Sequence, residues 1–160
     1  MNSLWKKQID NFIYLAYKYE VKMLMVGGGA VNFHGYQRHS ADVDFWIETS
    51  ENNFDKLCKV FNEMGYEIDS FPKEVKNKKK NISVKFSPED LNLELITNFS
   101  SFKTFDEAYQ NSELVEINKS QVLKWRVLSY EDLIASKLRS QRPKDLLDIQ
   151  QLKEIKENKN

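Results

Sequence analysis

The feature of this sequence that most restricts its fold is a run of three glycines at the end of an apolar segment. Met23 to Val26 is apolar throughout, Gly27 to Gly29 follow it, and Ala30 to Phe33 suit the first turns of a helix that stops near Gly35. This order predicts a buried strand, a tight turn and a helix. Glycines at such a turn let backbone N–H groups approach an anion such as phosphate, although tight packing alone also uses them.

Two carboxylates lie on the next predicted strand, Asp42 to Ile47. Asp42 and Asp44 are two residues apart, so both side chains project from the same face of the strand. At that spacing they can share a hard divalent cation. The residues between and after them are apolar, which makes a merely solvent-facing acidic edge the poorer explanation.

A third carboxylate, Glu94, is centred in a predicted strand from Leu91 to Thr97 and is flanked by leucines. A charged side chain inside such a strand needs a partner. Two partners are open: a salt bridge to Lys85, or a metal site shared with Asp42 and Asp44. The metal site is favoured, because three acids around divalent cations activate a hydroxyl and stabilise departing pyrophosphate.

The rest of the chain alternates strands and helices, which predicts one α/β or α+β domain over residues 1–160. Its predicted elements are a helix through Leu4, Trp5 and Ala16, a helix from Glu51 to Met64, a strand from Tyr66 to Ile68, a loop from Lys73 to Asn81, a strand from Ile82 to Phe86 with a turn over Ser87 to Asp90, two further strands, helices from Tyr130 to Arg139 and Pro143 to Lys156, and a frayed tail over 157–160.

The charge and hydropathy of the sequence restrict the kinds of partner that the protein can bind. Lys plus Arg equals Asp plus Glu at 24 each, so no overall charge attracts nucleic acid or an anionic membrane. Five lysines between Lys73 and Lys80 could hold RNA, but charge runs in loops are usually solvated, so nucleic acid is possible and not favoured. No apolar run approaches the ~18 residues of a membrane span, which predicts a cytoplasmic protein. The single Cys58 lies in an apolar helical pattern and is expected to pack.

The stretch from Val26 to Ile47 resembles the signature of the nucleotidyltransferase superfamily related to DNA polymerase β: an apolar residue, two glycines, a spacer, then acid-apolar-acid-apolar. The part from Ala30 to Arg38 resembles more narrowly the small bacterial nucleotidyltransferases grouped with the abortive-infection toxin family AbiEii. Later segments also resemble motifs of that family: Leu93-Glu94-Leu95-Ile96, Ser129 to Lys137, and Arg142-Pro143-Lys144-Asp145 with Asp148.

The resemblance implies a mixed twisted sheet flanked by helices, with a helical C-terminal segment closing over the site. It implies an enzyme that transfers a nucleoside monophosphate from an NTP to an acceptor hydroxyl and releases pyrophosphate, with Mg²⁺ or, in its place, Mn²⁺. The implied catalytic and metal-binding residues are Asp42, Asp44 and Glu94, and the implied nucleotide-binding residues are Gly27, Gly28, Gly29, Arg38, Ser40 and Lys137.

Several alternatives stay open. Lys137 could contact the triphosphate or be solvated, Arg38 could bind phosphate or brace the acidic strand, and Asp145 and Asp148 suit pairing with Arg139 or Arg142.

The acceptor is also open. A small-molecule acceptor predicts a pocket beside the acids, a tRNA-modifying toxin predicts a basic groove lined by Lys73 to Lys80, and protein modification in a toxin–antitoxin pair predicts a flat apolar patch. A nucleotide-binding module without catalysis is indicated if Glu94 does not converge on Asp42 and Asp44. The oligomeric state is not predicted.

Overall fold

The helices and strands alternate as predicted from the sequence. A computed structural model describes residues 7–86 and 91–159, so Leu4, Trp5 and the predicted turn at 87–90 lie outside the described residues. The helices are α1 Lys7–Lys18, α2 Gly27–Phe33, α3 Glu51–Glu63, α4 Lys73–Lys76, α5 Phe105–Gln110, α6 Tyr130–Ser140 and α7 Pro143–Lys159. The strands are β1 Met23–Val26, β2 Asp42–Ile47, β3 Ile82–Val84, β4 Asn92–Ile96, β5 Glu113–Asn118 and β6 Val122–Val127.

The strands form one six-stranded sheet in the order β3-β4-β2-β1-β6-β5. The pairs β2–β4 and β1–β6 are parallel and the other three are antiparallel, so the sheet is mixed. Helices flank it and α6 and α7 close the chain. This confirms the expected fold class.

One face of the sheet carries the main aromatic core. The ring of Phe12 in α1 lies 6.1 Å from that of Phe45 in β2 and 5.7 Å from that of Phe61 in α3. Because successive side chains of a strand point to opposite faces, Asp42 and Asp44 point away from this core. The acids are therefore free to line a site on the other face.

Four local predictions are corrected. The glycines are not a turn before the helix, because α2 begins at Gly27. No strand forms at Tyr66–Ile68 among the described residues, because the side chain of Asn62 takes both backbone groups of Ile68, at 2.7 Å and 3.0 Å. The segment from Lys73 is not all loop: Val75 is buried and the short helix α4 forms around it. The last helix does not end at Lys156, because α7 continues to Lys159.

The sequence analysis missed α5, a helix of six residues. Thr104 and Glu107 form a capping box in which each side chain accepts the other's backbone N–H, at 3.2 Å and 3.0 Å. None of the helices in residues 7–86 and 91–159 is long and apolar enough to cross a membrane.

Candidate nucleotide-binding and catalytic cleft

The pairing of β2 with β4 places the three predicted carboxylates on one face of the sheet. These strands are parallel, with Asp42 opposite Asn92 and Asp44 opposite Glu94. Residues paired in this way project from the same face, so the carboxylates of both strands share it. The burial pattern agrees, because Leu93 and Leu95 are buried on the other face.

Glu94 does not take the salt-bridge partner considered from the sequence. Its Oε2 accepts a hydrogen bond of 2.6 Å from the hydroxyl of Ser83 on β3, and within the described ranges no cation lies at salt-bridge distance from it. Lys85 is exposed. The Ser83 hydrogen bond fixes the orientation of one carboxylate oxygen, and within the described ranges Oε1 accepts no hydrogen bond.

The electrostatics of Asp44 reflect this crowding. The pKa of its carboxyl is raised from 3.8 to about 6, chiefly by burial and then by the negative charges of Asp42 and Glu94. Lys144 and Arg38 oppose the rise. A pKa raised in this way indicates that the cations of the protein offset only part of the cost of a negative charge at this point of the cleft.

Two of the three glycines are required by the site itself. Gly27 has a φ of +62° and a Cβ there would collide with the carboxylate of Asp44. A Cβ at Gly28 would lie 2.8 Å from Oγ of Ser40, whose hydroxyl donates to the backbone oxygen of Asp42 at 3.0 Å. Among residues 7–86 and 91–159, no side chain caps α2 at Val26. The start of α2 therefore sits directly against the acidic strand.

Gly29 has a different reason to be glycine. A Cβ there would lie 2.8 Å from Sδ of Met25, and Gly29 is not among the residues that line the cleft. Packing against Met25 explains this glycine without a ligand.

The opposite wall of the cleft is cationic and is held by two buried acids of α7. Nη2 of Arg38 donates to Oδ2 of Asp148 at 3.2 Å, and its Nε lies 3.0 Å from Oδ1 without the angle of a hydrogen bond. Nζ of Lys137 lies 2.9 Å from Oδ2 of Asp148 and 3.5 Å from Oδ1 of Asp145. Nε of Arg142 donates to Oδ2 of Asp145 at 2.7 Å.

This network settles the pairing of the C-terminal acids. Asp145 pairs with Arg142, as one of the sequence alternatives had it, whereas Asp148 pairs with Lys137 and with the distant Arg38. Arg139 instead lies over the ring of Phe102, 5.1 Å from its centre. Lys137 is buried, so the interpretation of it as a solvated lysine is wrong.

Between these walls lies an open cleft of ≈ 550 Å³. Every predicted site residue except Gly29 lines it: Gly27, Gly28, Arg38, Ser40, Asp42, Asp44, Glu94 and Lys137. Lining residues that the list of predicted sites lacks include Arg142 and Lys144, from the Arg-Pro-Lys-Asp segment, and Asn81, Asn98 and Phe99. The first two belong to a segment already singled out in the sequence, but Asn98 and Phe99 lie in a connection with no recognisable motif.

The donor set of the cleft is one that hard cations prefer. Its acidic side chains offer carboxylate oxygens, and Mg²⁺ binds oxygen ligands. In residues 7–86 and 91–159, no three His, Cys, Asp or Glu side chains are gathered closely enough to form a ready-made metal site. The negative charges of Asp42 and Glu94 nevertheless contribute to the raised pKa of Asp44, and a cation bound beside these carboxylates would relieve their repulsion.

A family model described as "Nucleotidyl transferase of unknown function (DUF2204)" matches residues 9–160. No curated protein matches the chain.

Proposed function

We propose that this chain, which belongs to the family of nucleotidyl transferases of unknown function (DUF2204), transfers a nucleoside monophosphate from an NTP to an acceptor hydroxyl in the cleft. The observation that carries the proposal is the register of β2 and β4, which sets Glu94 level with Asp44 beside the start of α2. The same register favours an active enzyme over a nucleotide-binding module without catalysis.

The nucleotide phosphates fit the cationic side of the cleft. The start of α2 at Gly27 and Gly28 offers backbone N–H groups without a side chain in the way. Lys137 and Arg142 line the same space, and exposed Lys144 makes no salt bridge within the described ranges. These residues would hold a triphosphate by charge and by hydrogen bonds.

Mg²⁺ or Mn²⁺ would be held by the carboxylates of Asp42 and Asp44 and by Oε1 of Glu94. When bound, the cation supplies neutralising charge for the phosphates and lowers the pKa of an attacking hydroxyl. The residues of the cleft would orient the reactants. The carboxylates would hold the metal ion on one side of the cleft, and Lys137 and Arg142 would hold the phosphates on the other side.

The reaction is an in-line displacement. The acceptor hydroxyl oxygen forms a bond to the α-phosphorus, the bond from that phosphorus to the bridging oxygen of the β-phosphate breaks, and pyrophosphate leaves. The hydroxyl proton passes to water at the open mouth of the cleft. Acceleration by such a site depends on positioning and on charge neutralisation.

The test uses each of the four NTPs, labelled at the α-phosphate, with Mg²⁺ and a cell extract. Mass spectrometry should find one component whose mass rises by one nucleotide, and Asp42→Asn should abolish the product while a control substitution at the exposed Asp55 does not. Absence of any nucleotide-dependent rise in melting temperature and of any labelled product would exclude the proposal. A product that is tRNA or a protein would favour the toxin–antitoxin relationship suggested by the AbiEii resemblance.

A further inference from the structure

A second cavity of ≈ 560 Å³ opens beside the cleft, along the same two strands. Trp46 follows Asp44 on the same face of β2 and lines this cavity, together with Glu48 just beyond the end of the strand. Residues two apart in a strand are separated by about 6.7 Å, so the second cavity begins about one such step from Asp44. Asn98 and Phe99 line both spaces, so the two cavities are adjacent.

The position suits a second substrate. The second cavity lies where the parallel strands β2 and β4 end, the place where open α/β sheets commonly bind ligands. A molecule in the second cavity could reach past Phe99 toward a nucleotide in the cleft.

One wall of the second cavity is a fixed group of aromatic rings. The ring of Trp46 lies 5.1 Å from that of Phe99 and 5.2 Å from that of Phe105, and Phe105 stacks on Tyr109 at 5.6 Å. Trp46 is buried beneath them, whereas Phe99 and Phe105 are half-buried, so these two rings face the ligand space. Rings held from behind in this way offer a rigid apolar surface at little entropic cost.

The remaining lining is polar and balanced in charge. Two acids, Glu48 and Asp106, face two lysines, Lys78 and Lys103. Lys103 is already paired with Asp132 at 2.9 Å. The other polar groups are hydroxyls and an amide, from Thr49, Ser50, Thr97, Asn98, Ser101 and Thr104. A neutral ligand rich in hydroxyl groups matches such a surface better than an ion does.

The same balance argues against a nucleic-acid acceptor. Binding of nucleic acid depends on cations that neutralise phosphates. Of the lysines between Lys73 and Lys80, only Lys78 lines this cavity, and Lys76 is engaged by Glu51 at 2.8 Å.

We propose that the second cavity is the acceptor site and that its acceptor is a small neutral polyhydroxylated molecule, a sugar or a cyclitol. The inference rests on the proposed function, because one hydroxyl of this molecule would be the nucleophile described above. Its apolar ring face lies on Phe99 and its hydroxyl groups bind the polar side chains of the opposite wall.

The test supplies α-labelled NTP and Mg²⁺ with three kinds of acceptor: a panel of neutral sugars and cyclitols (glucose, ribose, trehalose, myo-inositol), total tRNA, and the protein alone. Thr49→Tyr fills the second cavity from the end of β2 without touching the cleft. Ser70→Tyr, at an exposed position that lines neither space, is the matched control. Ser101→Tyr, on the other wall, replaces Thr49→Tyr if the latter does not fold.

We expect label on a member of the sugar panel, a loss of at least about tenfold in that transfer for Thr49→Tyr, and wild-type transfer for Ser70→Tyr. The rise in melting temperature with Mg²⁺ and a non-hydrolysable NTP should be the same in all three proteins. Label on tRNA or on the protein, no label on the panel, or full activity in Thr49→Tyr would overturn the inference. If the wild-type protein shows no rise with nucleotide, it is the proposed function that fails, and the acceptor site fails with it.

Discussion

Two groups of carboxylates lie beside the cleft in opposite electrostatic situations. Asp145 and Asp148 on α7 are almost completely buried, yet each contacts two cations. Burial by itself would raise the pKa of Asp145, but the hydrogen bonds from Arg142 and the charge of Lys137 outweigh burial and lower it. Asp44 is less buried, has other acids as neighbours, and its pKa is raised to about 6.

The difference separates two uses of the same residue type. A buried acid with its cations in place holds three parts of the chain together: Asp148 joins α7 to Lys137 of α6 and to Arg38 before β2. Asp44 has no salt-bridge partner within the described ranges, and an acid in that situation is costly to keep and is suited to a cationic ligand. Substitution should therefore have opposite effects on stability in the two groups.

The largest effect is expected on transfer. Asp42→Asn and Asp44→Asn each keep side-chain shape and remove one negative charge from the acidic face. Each should lower the rate by about 10³-fold or more, because charge stabilisation of this kind contributes several kcal/mol to the transition state. Exchange of labelled pyrophosphate into NTP measures the loss, with Asp55→Asn as control. Exchange at the wild-type rate in the double variant would remove both residues from the catalytic assignment.

The next largest effect is a loss of stability, expected when Asp148 of the salt-bridge network is replaced. Asp148→Asn leaves Arg38 and the buried Lys137 without a full charge partner. Breaking a buried pair in this way costs about 3–5 kcal/mol, which for a chain of this length lowers the melting temperature by about 10 °C. Calorimetry measures it, with Glu51→Gln, a partner in the exposed pair with Lys76, as a control that should change little. Equal melting temperatures for Asp148→Asn and wild type would mean that the network does not hold the helices.

The spacing of residues predicted the acidic group well. Asp42 and Asp44 share a face because a strand alternates, and that rule needs no tertiary information. The position of Glu94 beside Asp44 depends on the pairing of two strands about fifty residues apart in the chain. The contact of Arg38 with Asp148 joins residues that are 110 apart. Neither leaves a local pattern. The family resemblance predicted that the strand of Glu94 belongs to the site. No feature of the sequence predicted the contact between Asp148 and Arg38.

Elsewhere the errors have local causes. The expected strand at Tyr66–Ile68 had the right residues, but Asn62 satisfies the backbone of Ile68 and leaves it without a sheet partner. The missed helix α5 had a readable signal, since Thr104 and Glu107 have the spacing of a capping box. The second cavity had no such signal, because its lining comes from five separate segments of the chain.

A gain in stability is expected when Asp44, an acid of the cleft, is replaced by asparagine. The folded state raises the pKa of Asp44 from 3.8 to about 6, so the folded protein binds this proton more tightly than the unfolded chain does. Below pH ~4 both states are protonated and the group has no effect; stability then falls as pH rises toward 6 and stays lowered above it. At neutral pH, without metal, Asp44→Asn should raise the free energy of unfolding by up to about 3 kcal/mol.

The measurement is thermal unfolding of wild-type protein and Asp44→Asn between pH 4 and 7, in the presence of a chelator. The two curves should converge at the acid end and separate with rising pH. Parallel curves across this range would show that Asp44 carries no proton whose affinity changes on folding, and the contrast with Asp145 would then lose its electrostatic basis.

The smallest effect separates the possible roles of Glu94. Glu94→Gln keeps an oxygen that can accept the hydrogen bond from Ser83, and within the described ranges it breaks no salt bridge. Without metal, the melting temperature should therefore stay within about 2 °C of wild type. With Mg²⁺ and a non-hydrolysable NTP at about 100 times its dissociation constant, wild-type protein should gain about 2.7 kcal/mol. Tenfold weaker binding by Glu94→Gln would reduce that gain by about 1.4 kcal/mol, a difference of a few degrees that calorimetry resolves. A marked loss of stability without metal, together with a full gain on adding Mg²⁺ and nucleotide, would make Glu94 a structural partner of Ser83 and remove it from the metal site.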